Sequence, residues 1–258
     1  AVRWEGGEIL LNAEKNIRLT PDPAHLGHEL LVTDGLTLLG GDDKAGVAEI
    51  MTLCEYVLAH PEKKHGDICV AFTPDEEIGR GADLFDVKGF GAEFGYTVDG
   101  GAVNEIEYEN FNAASAQVLV HGFSIHPGGA KNKMRNAARL AMEFNAMLPP
   151  QETPECTEGY EGFYHLCEIS GAEQEARLQY IIRDHDRQKF EARKAFLERT
   201  VAYLNGIYGA GTFELVLKDS YYNMREKIEP HMHLIDRAKA AFADNGVEAR
   251  VVPIRGGT

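Results

Sequence analysis

At 258 residues, 44% of them hydrophobic, the chain is long enough to bury a core and to form one or two domains. A formal net charge of −15 argues against nucleic acid or an anionic membrane as partner, because both select a basic surface. Four scattered cysteines without a CxxC pair, no signal-peptide pattern and no apolar run of about 18 residues predict a soluble, cytoplasmic protein that acts on small molecules.

Residues 1–37 hold Glu8-Ile-Leu-Leu11, the turn-rich Thr20-Pro-Asp-Pro23 and Leu30-Leu-Val32, and read as irregular surface structure with one short strand and none before Trp4. His25, His28 and His60 read as surface or capping residues. Next comes Leu38-Leu-Gly-Gly-Asp-Asp-Lys-Ala-Gly46, followed by Val47, Ile50, Met51, Cys54, Val57 and Leu58 at helical spacing. Asp42 and Asp43 therefore fall where a loop turns into a helix, and either suits an N-cap.

The apolar run Ile68-Cys-Val-Ala-Phe72 reads as a buried strand that delivers Thr73-Pro-Asp-Glu-Glu-Ile-Gly79 to the carboxyl edge of a sheet, where open α/β proteins keep ligands. Glu76 and Glu77 repel each other there unless a metal holds one and a water or proton sits on the other. A solvated acidic turn is the competing reading. Gly95-Tyr-Thr-Val98 repeats the grammar as a short strand ended by Asp99-Gly-Gly101. Alternating strand and helix over 36–109 predicts a parallel sheet with crossover helices, its strands at 67–72 and 95–98 converging at their carboxyl ends.

The pattern then changes. Ala114, Ala116, Val118 and Val120 alternate as in a half-buried antiparallel strand over 112–121. Met134, Ala137, Ala138, Ala141, Asn145 and Leu148 trace a helix face broken by Pro149-Pro150. Strands follow at 163–170 and 176–184, then a helix over 187–205 burying Phe190, Leu197, Val201 and Leu204, then a strand at 212–218. Strand, helix, strand, strand, helix, strand is a ferredoxin-like module. Residues 228–254 return to helix then strand, with Asn245-Gly246 ending the helix. The predicted class is α/β, with a first domain over 1–110, an inserted module over 111–221 and a return to the first domain over 222–258.

Several long blocks resemble the dinuclear zinc peptidases and deacylases of the M20 type. They are Leu38-Leu-Gly-Gly-Asp-Asp-Lys-Ala-Gly46, Ala71-Phe-Thr-Pro-Asp-Glu-Glu-Ile-Gly79, Tyr96-Thr-Val-Asp-Gly-Gly101, His126-Pro-Gly, Thr157-Glu-Gly-Tyr-Glu-Gly-Phe-Tyr-His165, Tyr180-Ile-Ile-Arg-Asp184, Asp219-Ser-Tyr-Tyr-Asn-Met-Arg-Glu226 and Pro253-Ile-Arg-Gly-Gly-Thr258. The resemblance implies a metallopeptidase-type catalytic domain interrupted by a ferredoxin-like lid through which the chain forms a homodimer. It implies two zinc ions, with Asp42 as bridging ligand on the pattern Asp-x-Lys-x-Gly, Glu77 on one ion, Asp99 on the other, and Glu76 as general base. It implies that His126 stabilises an oxyanion, in its own or a partner's site, and that Arg183, Asn223 and Arg255 hold a peptide's free carboxylate.

The activity implied is release of the N-terminal residue of tripeptides. A related dipeptidase or deacylase, and a non-catalytic lid or dimerisation module with an incomplete metal site, are the alternatives. The family's two histidine ligands, in an upstream His-x-Asp and near the C-terminus, have no counterpart in this sequence. The chain is therefore expected to be an internal stretch of a longer protein, inactive by itself.

Overall fold

The computed structural model describes residues 1–256; Gly257 and Thr258, the end of the matched 253–258 block, lie outside the described residues. The chain divides into two compact units, Ala1–Ala102 and the remainder from Val103.

In the first unit, β1 (Val2–Arg3) pairs antiparallel with β4 (Glu29–Leu30), and β2 (Ile9–Asn12) with β3 (Ile17–Leu19). The expected irregular surface thus contains two small ribbons, and a strand does precede Trp4. Buried Trp4 joins the ends of the first ribbon: its amide donates to His28 O (2.9 Å) and its indole to Gly7 O (2.9 Å). Helix α1 (Gly41–Ala59) follows, and α2 (Val87–Phe90) is a single turn capped by Asp86.

The parallel sheet expected over 36–109 is not formed among the described residues. Neither 67–72 nor 95–98 is a strand. A strand persists only when a neighbour accepts and donates its backbone hydrogen bonds. No described segment pairs with either run, so Ile68, Val70 and Phe72 stay exposed rather than buried. The apolar residues Met51 and Leu58 of α1 are likewise exposed.

The second unit is built on a four-stranded antiparallel sheet of β6 (Asn112–His121), β7 (Phe163–Gly171), β8 (Glu175–Asp184) and β9 (Phe213–Tyr221), in the order β7-β8-β6-β9. Helix α3 (Ala137–Ala146) connects β6 to β7 and α4 (Arg187–Tyr208) connects β8 to β9, which completes the ferredoxin-like arrangement. Both helices cover one sheet face. Period-two alternation puts Ala114, Ala116, Val118 and Val120 of β6, and Leu178, Tyr180 and Ile182 of β8, into a core shared with Phe144 of α3 and Phe190, Leu197 and Leu204 of α4.

Helix α3 starts at its Asn136 cap, whose side chain accepts from Arg139 N (3.1 Å), two residues later than the face beginning at Met134 suggested. Its buried residues include Leu140 and Phe144. Asn145 accepts the Tyr180 hydroxyl (3.0 Å).

Beyond the sheet, α5 (Arg225–Ile228) and α6 (His233–Asp244) lead through Asn245 and Gly246, at φ +72°, to β10 (Arg250–Val251). Strand β10 pairs with β5 (Glu105–Ile106), the one parallel pairing among the described residues.

A buried charge cluster locks α4 to the sheet's end. Arg193 Nε donates to Asp184 Oδ2 (2.8 Å) and its fork also reaches Glu152 and, at 3.0 Å, Gly162 O. Asp184 is 1% exposed. Removing the cation would strand that carboxylate, so Arg193→Met is expected to destabilise this unit by about 3–5 kcal/mol, read from the urea midpoint of its transition. A loss below about 1 kcal/mol would show that the cluster contributes little.

Candidate functional site

Two groups of candidate residues fall in different units. The acidic group lies in the first. The first turn of α1 is kinked: Asp42 (ψ 117°) and Asp43 (φ −110°, ψ 43°) are non-helical, and the peptide bond between them is cis. Asp43 Oδ1 accepts from Gly46 N at 3.0 Å, the geometry of an N-cap three residues before its donor. Asp43 is therefore the helix cap, and Asp42 has no such duty.

Gly46 is buried in this first turn, and a Cβ on it would collide with Val98 O and lie 2.6 Å from Asp43 Oδ1. The glycine lets the backbone just before Asp99 rest on the turn that begins at Asp42. Asp99 itself accepts from Gly100 N (2.6 Å).

Glu76 and Glu77 occupy a single 3₁₀ turn, Glu76–Ile78, between Asp75 at φ +62° and Gly79 at φ +69°. Asp tolerates this left-handed conformation better than most residues. The turn is closed by Gly79 N to Glu76 O (2.6 Å) and Arg80 N to Asp75 O (3.0 Å). With three residues per 3₁₀ turn, the two neighbouring side chains diverge by about 120°. They can then serve different tasks. Both are exposed.

No three of the described His, Cys, Asp and Glu side chains converge closely enough to hold a metal ion. Asp42, Glu77 and Asp99 do not gather into a cage, and the arrangement by itself does not fit a zinc pair.

His126 lies in the second unit, on a loop whose ends are pinned by the Phe123–Arg135 bridge, with N–H···O distances of 2.7 and 3.0 Å. Gly122 permits the close approach, since a Cβ there would strike Glu173 O and Arg135 O. The His126 ring caps the turn Pro127–Gly129: Gly128 N donates to Nδ1 at 3.1 Å. Nδ1 is thus the acceptor, and the neutral ring carries its proton on Nε2. The side chain is exposed and can offer that N–H to an oxygen.

Arg183, near the end of β8, lies on the sheet face opposite the helices, since the buried residues 178, 180 and 182 alternate with it. Its Nη1 donates to Ala114 O (3.3 Å) and Ile182 O (3.0 Å), and its guanidinium is 5.6 Å from the Tyr221 ring centre.

Asn223 and Arg255 direct their polar groups to the protein. Asn223 Nδ2 donates to His185 O (3.1 Å), and its Oδ1 accepts from Asn110 N (3.2 Å) and Arg225 N (3.0 Å). Arg255 donates to Gly159 O (2.8 Å), Glu161 O (3.0 Å), Thr157 O (3.1 Å) and Thr157 Oγ1 (3.0 Å), its guanidinium over Phe111.

Residues that the sequence did not single out organise this second group. Buried Asn112 donates to Asp184 O and His185 O, both at 3.0 Å, and accepts from Asn223 N (3.0 Å). Buried Glu109 accepts the Tyr160 hydroxyl (2.7 Å) and Arg225 Nη1 (3.4 Å). Donating its hydroxyl proton to the Glu109 carboxylate in a hydrogen bond raises the Tyr160 pKa, and burial adds to the rise. His185 donates from Nε2 to Ile254 O (2.9 Å) under the rings of Phe111 and Tyr160. Its position directly after Tyr180-Ile-Ile-Arg-Asp184 was the signal available in the sequence.

Burial holds the His185 pKa below its ordinary value, outweighing the Ile254 carbonyl and Glu109, which favour the cation; Arg255 adds to the lowering. A depressed histidine means that the unfolded chain binds a proton the folded chain refuses. Stability is therefore complete above the unfolded pKa, about 6.5, and falls as pH drops below it until the folded pKa is reached. The urea midpoint of the second unit is expected to be lower at pH 5.5 than at pH 7.5, with His185→Gln flattening the difference. An unchanged slope in that variant would assign the pH dependence elsewhere. At the acidic group, Gly46→Ala is expected to cost about 1–3 kcal/mol and to speed proteolysis around residue 99; a silent substitution would mean that the Val98 contact is not tight.

Residues 108–212 match the peptidase dimerisation domain of the M20 family. The chain is 55% identical to peptidase T of Clostridium novyi (strain NT), over 99% of this chain and 64% of that protein. It is 56% identical to peptidase T of Geobacillus kaustophilus (strain HTA426), over 99% and 63%. The chain thus spans less than two thirds of the length of these curated relatives. In structure it is similar to the aminopeptidase PepT of Bacillus cereus ATCC 10987, with a TM-score of 0.73 at 24% identity, covering 90% of this chain and 64% of that one. A tripeptidase of Staphylococcus aureus subsp. aureus mu50 gives 0.74 at 22% identity, over 87% and 60%. At those identities the two structures speak for the fold alone.

Proposed function

We propose that the chain is part of a protein of the peptidase T family within the M20 peptidases, and that the whole protein is an aminopeptidase releasing the N-terminal residue of tripeptides. The observation that carries this reading is sequence identity of 55–56% over 99% of the chain. For the whole protein we assign Asp42, Glu77 and Asp99 as metal ligands and two zinc ions as cofactor, on the resemblance of their motifs to the M20 type, since the described residues alone form no metal cage. Asp43 as helix cap supports the choice of Asp42.

In the proposed reaction Glu76 takes a proton from the attacking water and returns it to the leaving amine. His126 offers its Nε2–H as a hydrogen bond to the oxyanion, in the same chain or across a homodimer formed through the lid. Arg183 takes the peptide's carboxylate, with Asn223 and Arg255 on the same junction. No described helix is long and apolar enough to cross a membrane; a cytoplasmic location is part of the proposal.

In the full-length protein, Glu76→Gln is expected to lower kcat by at least about a hundredfold with metal content nearly intact, whereas Glu77→Ala loses metal. Equal metal loss in both would remove the division of roles. The scattered carboxylates favour a second reading for residues 1–258 alone, as a lid and dimerisation module with half a metal site. That polypeptide is expected to retain substoichiometric zinc after dialysis and to cleave no tripeptide, as elemental analysis and amino-acid release would show. Two tightly held zinc ions with turnover would contradict it.

A further inference from the structure

The segments carrying Arg183, Asn223 and Arg255 are far apart in sequence, yet all three are tied to one residue. Arg183 lies near the end of β8, and His185 directly follows that strand, two residues on. The His185 carbonyl accepts from Asn112 Nδ2 (3.0 Å) and from Asn223 Nδ2 (3.1 Å), which fixes the segment after β9. The imidazole Nε2–H donates to Ile254 O (2.9 Å), which fixes the residue before Arg255. Its ring is 4.2 Å from the centre of Phe111 and 5.1 Å from that of Tyr160. The loop bearing Tyr160 is in turn held by Arg255 through Thr157, Gly159 and Glu161.

We propose that His185 is a positioning residue that holds Arg183, Asn223 and Arg255 in mutual register for the substrate's carboxylate. The claim rests on the reading of these three as carboxylate-binding residues. His185 makes no contact with substrate; its imidazole acts through the Ile254 carbonyl and the Phe111 and Tyr160 rings, and its main-chain carbonyl through the Asn223 side chain. A planar Arg fork recognises a carboxylate only when its partners are placed to within a fraction of an ångström, so loosening Ile254 weakens binding rather than the chemical step. Of the common replacements, Gln places an N–H nearest to that of Nε2, whereas Leu keeps bulk and loses the donor.

The test uses the full-length protein. For a tripeptide with a free C-terminus, His185→Leu is expected to raise KM at least tenfold with kcat changed less than threefold, and His185→Gln to restore KM to within threefold. For the same tripeptide as its C-terminal amide, wild type and His185→Leu are expected to have equal KM. Amide hydrogen exchange, which needs no turnover, should be faster in His185→Leu at residues 157–161 and 254, unchanged in the middle of β6 and β8 and at 223–225, whose tie is to the His185 main chain, and restored by Gln. A KM unmoved by Leu, a loss confined to kcat, a Gln variant as impaired as Leu, or unchanged exchange at residues 157–161 and 254 would overturn the proposal. Wild-type protein that cleaves no tripeptide, with the exchange pattern as expected, would instead sink the peptidase reading and leave the positioning role standing.

Discussion

Strand β6 is flanked on both sides, by β8 and β9, and its alternation decides which face of the sheet α3 and α4 cover. Because both neighbours satisfy its backbone, its small residues Ala114 and Ala116 lie flat against the helices while Val118 and Val120 fill the space further along. The same strand begins at Asn112, whose side chain spans the gap between the end of β8 and the segment after β9. One strand therefore supplies both the centre of the core and the anchor of the candidate carboxylate site.

That anchor is a buried polar network, in which each paired member contributes to one fixed arrangement. Glu109 is paired with Tyr160 and Arg225, Asn110 and Asn112 with Asn223 and its neighbours, and Asp184 with Arg193, whereas His185 Nδ1 is buried without a partner among the described residues. Five separate stretches of sequence meet there, which makes the junction specific to one arrangement. The acidic group of the first unit is held differently, by backbone turns: the Asp43 cap, the Gly46 contact and the 3₁₀ turn at Glu76.

The ferredoxin-like module was legible because its signals are local. Period two over 112–121, helical spacing before Pro149-Pro150 and the Asn245-Gly246 stop each follow from a few neighbouring residues, and the structure has a strand, a helix and a helix end there. Strands at 67–72 and 95–98 could not be settled that way, since an apolar run becomes a strand only beside a partner. Asp42 and Asp43 were equivalent in sequence and became distinguishable only through the hydrogen bond from Gly46. The pairings of Glu109, Asn112 and His185 could not be read locally because their partners lie 38 to 116 residues away, and only His185 had a sequence signal, its place directly after the 180–184 block.

The proposed aminopeptidase activity requires a free N-terminus on the peptide, whereas a deacylase or a dipeptidase would cut a different bond. Mass spectrometry of products from a tripeptide and its N-acetylated form, each incubated with the full-length protein, separates them. The account predicts one free amino acid from the original N-terminus plus a dipeptide, and no cleavage of the acetylated form. Release of acetate, or cleavage of dipeptides with tripeptides untouched, would contradict it.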